Sequence, residues 1–226
     1  MVNLAGAQHV AFRKQLANQF GDRVSSHPAF DVAVEAFVHD PKDFYNAYIN
    51  GKMSFAQQRL SRVIDAMSIL QLEGAPDEDL WIAGYEEVVS QHWVPFDDVA
   101  PLLAALDERG IAYGAATNNV THYQRLKLEQ TGLAFDVVIG TDVTGKPKPD
   151  PSMFREGVRQ LGSTVENTLM IGDDVMNDGL GARDAGLISL LVDRKNTLVN
   201  PERVYKVGSL SDVLHIPSLR FDNKIN

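Results

Sequence analysis

Residues 168–178 read Thr168-Leu169-Met170-Ile171-Gly172-Asp173-Asp174-Val175-Met176-Asn177-Asp178. An apolar run too short for a helix stops at a glycine and gives way at once to carboxylates, and helical spacing resumes over 177–185. A continuous apolar run of this length reads as a strand buried on both faces, and the helix behind it completes one βα unit. The alternation continues outward. Downstream, 188–192 is a further strand and 204–207 an edge strand; upstream come a helix over 99–108, a strand over 111–116, a helix over 120–131, a strand over 135–140 and a helix over 151–161. Apolar strands separated by amphipathic helices predict an α/β fold, a Rossmann-like parallel sheet covered on both faces.

Ahead of Trp93 the pattern changes to short helices. Phe12, Leu16 and Phe20 recur at i, i+4 and i+8, Pro28, Pro41 and Pro76 suit first helical turns, and Asp40 and Ser54 suit N-caps. Gly51 and Gly74 fall where helices should stop. The expected division is a helical block over 1–92 and an α/β core over 93–226. The length, 226 residues, accommodates both, at roughly one domain per 100–200 residues.

Composition narrows the chemistry. Hydrophobic residues make up 44% and charged residues 23%, so a packed core is expected rather than disorder. With no cysteine, disulfides, thiolate catalysis and Cys-ligated metals are excluded. A formal net charge of −9 and the lack of a basic run argue against nucleic-acid binding. Nothing approaches the ~18 consecutive apolar residues of a membrane helix, and the N-terminus lacks a secretory pattern, so a cytoplasmic location is expected.

Parallel sheets place their chemistry at the carboxyl ends of strands. Three such ends carry reactive residues here. Thr117-Asn118-Asn119 offers a hydroxyl and amides at a helix N-terminus, where they either cap the helix or hold a phosphate. In Gly145-Lys146-Pro147-Lys148-Pro149-Asp150-Pro151, prolines at alternate positions are expected to hold the loop extended and present both lysines, Lys148 the better placed, to an anion. Asp173, Asp174 and Asp178 repel one another unless a cation is near, and Mg²⁺ accepts carboxylates together with water and phosphate oxygens. The competing reading is an acidic turn that caps the next helix.

Taken together, Thr117, Lys148 of Lys-Pro-Asp-Pro-Ser-Met-Phe, Gly-Asp-Asp with Asp178, and Gly181-Ala182-Arg183-Asp184-Ala185-Gly186 resemble the haloacid dehalogenase superfamily from Trp93 to about Leu214. The resemblance implies a phosphomonoester phosphatase with an α-helical cap ahead of the core and Mg²⁺ as cofactor. It makes Asp173 a direct metal ligand, with Asp178 and Asp174 as ligands or supports. It gives Lys148 and Thr117 catalytic roles, and Thr117, Asn118 and Lys148 the phosphoryl group. The implied partner is a small phosphorylated substrate, and a homodimer stays open.

The family's first motif, an apolar strand ending in Asp-x-Asp-x-Thr whose leading Asp is the nucleophile, has no counterpart here. Asp77-Glu78-Asp79 follows Gly74-Ala75-Pro76 and reads as a helix start. In the implied fold the missing strand lies centrally, between those of 111–116 and 168–171. Its loss opens a gap of roughly 9–10 Å that backbone hydrogen bonds of ~3 Å cannot cross. The expectation is therefore a truncated start and a chain inactive as it stands. The alternatives are a non-catalytic phosphate- and Mg²⁺-binding or interaction protein, and a metal-free haloacid dehalogenase, which the acidic cluster disfavours. Arg13, Lys14, Lys52, Arg59 and Arg62 are candidates for contacting an anionic substrate, against the plainer reading of solvated helix faces.

Overall fold

The computed structural model describes residues 1–73 and 76–216. Gly74, expected to stop a helix, and the tail beyond Ile216 lie outside the described residues. The chain divides into two compact units, Met1–Pro95 and Phe96 onward.

The first unit is helical: α1 (Leu4–Phe20), α2 (Phe30–His39), α3 (Phe44–Ile49), α4 (Phe55–Ile69) and α5 (Glu78–Ser90). The i, i+4 stripe of α1 is its core, with Phe12 and Leu16 fully buried. Phe12 stacks on Phe37 of α2 at 4.1 Å between centroids, and Phe37 meets Tyr85 of α5 edge-on at 5.5 Å. Each such buried ring contributes roughly 1.5–3 kcal/mol. Burial also pushes the Tyr85 phenol up to about 12, against the opposing pull of Arg59 and Arg62. Ser54 forms a capping box with Gln57. Asp40 is not the residue that opens α3: it ends α2 in a left-handed conformation, and its carboxylate reaches on to the amides of Phe44 and Tyr45. At the start of the chain, Asn3 caps α1 and donates its own amide to the Val94 carbonyl at 3.0 Å.

Three of the five candidate cations in the helical unit are committed to neighbours. Arg62 is buried, and its guanidinium donates to the carbonyls of Phe37 and Val38. Arg59 pairs with Glu86 across the Tyr85 ring, and Arg13 pairs with Asp31 at 2.6 Å. Lys14 and Lys52 are exposed.

The second unit alternates as the sequence predicts. It runs α6 (Val99–Glu108), β1 (Gly114–Ala116), α7 (Thr121–Gln130), β2 (Val137–Ile139), α8 (Thr141–Thr144), α9 (Pro151–Gln160), β3 (Leu169–Gly172), a π-helical turn Val175–Leu180, α10 (Gly181–Asp184), β4 (Ile188–Val192) and β5 (Tyr205–Val207). The helix expected over 177–185 is thus split into a wide turn and one short helical segment. All strand pairs are parallel, in two separate ladders: β1 with β2, and β3-β4-β5. Apolar residues from both ladders and from α6 and α7 form one cluster that includes Leu102, Ala115, Leu128, Val138 and Leu190. Phe154, Val158, Ala182, Ala185 and Leu187 form another, drawn from α9, α10 and the turn between α10 and β4.

Among the described residues nothing pairs with β1 and β3 on the sides away from β2 and β4. Burial tells the same story. Leu190 and Leu191 of β4 are fully buried, whereas β3 is half-buried along its whole length and Gly114 of β1 is exposed.

Asp98, just ahead of α6, ties the unit together at the opposite end of the sequence. Its carboxylate accepts a fork from Arg194 at 2.6 and 2.7 Å, the Ser209 hydroxyl at 2.7 Å and the Leu210 amide at 2.9 Å. The Arg194 hydrogen bonds above all, with Ser209 and Leu210 behind them, hold this carboxyl well below the usual carboxylate range. A depressed carboxyl stabilises the fold above its unfolded pKa of roughly 3.9, and that stabilisation is lost as pH falls towards the folded value. Asp98→Asn should therefore cost about 1.5–3 kcal/mol at neutral pH in urea melts. The deficit relative to the parent should shrink steadily below about pH 4; a deficit independent of pH down to 2 would contradict this assignment.

Candidate active site

The chemistry-bearing residues gather at the carboxyl ends of β1 and β3, where each element ends for a local reason. Beyond β1, the Thr117 amide extends the ladder to the Ile139 carbonyl at 2.9 Å, and the Thr117 hydroxyl then accepts from the Asn119 amide at 3.2 Å. Asn118 is buried and grips the Lys148 backbone from both sides: its side-chain oxygen accepts the Lys148 amide at 2.7 Å and its side-chain nitrogen donates to the Lys148 carbonyl at 3.0 Å.

The proline-rich loop does not run extended, contrary to the sequence expectation. The Asp150 amide bonds back to the Pro147 carbonyl at 3.0 Å, which turns the chain and separates the two lysines. Lys146 stays in solvent and pairs with Asp150 at 3.3 Å. Lys148 turns inward and is buried: its ammonium donates to the Ala116 carbonyl at 3.0 Å and to the Asp178 carboxylate at 2.6 Å.

Asp178 sits in the π-helical turn, a local widening that recurs at functional sites. One of its oxygens holds Lys148; the other accepts the amides of Asp173 and Asp174, each at 3.2 Å. Gly172 makes this possible, because a Cβ there would lie 2.1 Å from the carboxylate oxygen of Asp178. That steric need is invisible in sequence, where Gly172 reads only as a strand end. Asp174 caps the turn, taking the amides of Met176 and Asn177 at 2.9 and 2.8 Å and the Asn177 side chain at 2.9 Å. Asp173 is exposed and its carboxylate has no hydrogen-bond partner among the described residues.

The mutual repulsion expected of the acidic cluster is thus largely relieved by Lys148 and by amide N–H groups. A hard divalent cation is left with Asp173 as the open carboxylate. One carboxylate completed by water and phosphate oxygens lies within the coordination habits of Mg²⁺, so the residues fit a weak site centred on Asp173. Asp173→Ala should abolish Mg²⁺ binding measured by calorimetry. Asp174→Ala should leave most of it and instead cost about 1 kcal/mol of stability through the lost cap; equal binding losses would assign both as ligands.

A family model for haloacid dehalogenase-like hydrolases matches residues 4–186. The chain belongs to that family. Among curated relatives, a phosphoserine phosphatase of Thermus thermophilus is 36% identical over 122 residues, 52% of this chain and 49% of that protein. A glyceraldehyde 3-phosphate phosphatase of Methanothermobacter thermautotrophicus is 33% identical over 116 residues, 50% of this chain and 51% of that protein. These matches span about half the length of either relative. Among solved structures, the magnesium-bound HAD hydrolase YfnB of Bacillus subtilis superposes with a TM-score of 0.74 at 20% identity, covering 95% of this chain and 92% of that one. The L-2-haloacid dehalogenase of Xanthobacter autotrophicus gives 0.69 at 16%, covering 95% and 93%. At these identities the structural matches establish the shared α/β fold. No helix among the described residues is long and apolar enough to cross a membrane.

Proposed function

We propose that this haloacid dehalogenase-like chain carries the phosphate-binding and cation-binding part of a phosphomonoester hydrolase site. On this reading, a further strand seated between β1 and β3 supplies the nucleophilic carboxylate. The observation that carries it is Lys148, whose buried ammonium is fixed between the last carbonyl of β1 and the carboxylate that caps the end of β3. An ammonium held at the mouth of a parallel sheet neutralises a phosphoryl oxygen without reorganising during reaction. Thr117 and the amide of Asn118 would bind another phosphoryl oxygen. Asp173 would hold Mg²⁺, which supplies charge neutralisation at the phosphate when bound. Asp178 acts through Lys148 and the amides it orders. The phosphatase names of relatives that are about a third identical over about half their length support attack on phosphorus, with an alcohol oxygen leaving, over attack on carbon with a halide leaving.

In-line attack on phosphorus needs a carboxylate opposite the leaving oxygen, with a phosphoaspartyl intermediate then hydrolysed. Neither Thr117 nor Lys148 can serve in that way. The chain as sequenced, assayed with an aryl phosphate and Mg²⁺, should therefore match the buffer blank while still binding inorganic phosphate, and Lys148→Ala should weaken that binding at least about tenfold. Turnover by the chain as sequenced that disappears in Lys148→Ala would show that the nucleophile is already present. Phosphate affinity unchanged by Lys148→Ala would remove the basis of the proposal and favour an interaction protein.

A further inference from the structure

Outside the strand-end site, the helical unit brings three potential ligands together from two helices. We propose that His9, Glu35 and His39 form a transition-metal site, suited to Zn²⁺, that clips α1 to α2. Glu35 and His39 stand one turn apart on α2 and so share a face, and His9 projects from α1 against them. His9 Nε2 lies 3.6 Å from one oxygen of Glu35 and His39 Nε2 lies 3.0 Å from the other. All three ligand atoms fall within 4.8 Å of one another.

Bond lengths of ~2.0–2.1 Å to zinc in a tetrahedral site put neighbouring ligand atoms ~3.3 Å apart. The two His–Glu separations, each to a different carboxylate oxygen, fall on either side of that value, and the 28%, 52% and 59% exposure of the three side chains leaves room for the rotamer adjustments that would bring them onto one ion. The helices need not move. The buried Phe12–Phe37 stack and the Arg13–Asp31 pair one turn further along α1 already hold α1 against α2. Two imidazoles with one carboxylate suit Zn²⁺, whereas Mg²⁺ and Ca²⁺ prefer oxygen donors throughout. A water would take the fourth position, and solvent reaches the site directly.

The chelator-treated chain titrated with Zn²⁺ in a calorimeter should bind one ion at this site and melt at a higher temperature when loaded. His9→Ala, Glu35→Gln and His39→Ala should each weaken that binding by at least about tenfold, since even groups behind the ligands are commonly worth 10–100-fold. Melting curves in metal-free buffer establish that the variants at half-buried His9 and at exposed Glu35 and His39 fold. His122→Ala, on an exposed position of the other unit, should bind like the parent. Absence of saturable binding up to about 1 mM Zn²⁺ would leave only a pair of His–Glu contacts and overturn the proposal. Binding that survives all three substitutions but falls with Asp173→Asn would also overturn it, placing the ion in the strand-end site instead.

Discussion

Supplying an apolar strand that ends in Asp-x-Asp-x-Thr, as an N-terminal extension, should raise both the melting temperature and the phosphatase activity of this protein. The two effects have separate origins. Among the described residues β1 and β3 each have one side without a strand partner; β3 is only half-buried, and in β1 only Ala115 is buried. A strand of ~5 residues seated there would gain roughly 1.5–3 kcal/mol per large apolar side chain together with two rows of ladder hydrogen bonds. Ordering it costs about 1–2 kcal/mol per residue. The net gain should be several kcal/mol, a rise of roughly 5–15 °C in Tm. Activity comes from the carboxylate such a strand delivers beside Lys148, and should move from the buffer blank to a kcat on the order of 1 s⁻¹ or above on an aryl phosphate. Lys148→Ala in the extended protein should then cost ~100-fold or more in kcat. An extended protein that melts higher yet stays inactive with saturating Mg²⁺ across a broad phosphomonoester screen would favour the non-catalytic binding protein. An extension that leaves Tm unchanged would mean the slot does not take a strand.

The largest loss from a single substitution should come from Asp178→Ala. Both partners of the Lys148–Asp178 pair are nearly buried, at 9% and 8% side-chain exposure. Removing the carboxylate strands the ammonium and leaves the amides of Asp173 and Asp174 without their acceptor. Breaking a buried pair from one side costs about 3–5 kcal/mol. Urea melts should show it, with Asp178→Asn intermediate because it keeps an acceptor for the amides. Lys148→Met combined with Asp178→Leu should recover much of the loss, since removing both charges spares the desolvation that one stranded charge incurs. A single-substitution cost under about 1 kcal/mol would mean that water reaches the pair and that Lys148 is not held where the proposed function needs it.

Much of this protein is legible in its sequence, because what decides it is local. A short apolar run that stops at polar residues reads as a buried strand, and five apolar runs separated by helical spacing leave little besides a parallel α/β sheet. The expectation of a strand between those now seen as β1 and β3 comes from the family resemblance rather than from any run in the sequence; among the described residues the two strands fall in separate ladders. The Ser54–Gln57 capping box and the Phe12 and Leu16 core stripe are likewise short-range patterns.

What the sequence left open is which partner each polar group takes. Asp173, Asp174 and Asp178 are chemically alike, yet one faces solvent, one caps a turn and one holds a lysine 30 residues away. That choice depends on Gly172 allowing a close approach and on the turn at Pro147–Asp150 swinging Lys148 inward, neither of which has a spacing signature. Arg59 and Arg62 look like free cations in sequence and are consumed by Glu86 and by the carbonyls at the end of α2. His9 lies 26 residues before Glu35, and no periodicity links them. Secondary structure follows from neighbours along the chain, whose spacing is written in the sequence. Ion pairs and ligand sets follow from neighbours in space, and only the packing of helix on helix and the placing of strand beside strand decides those.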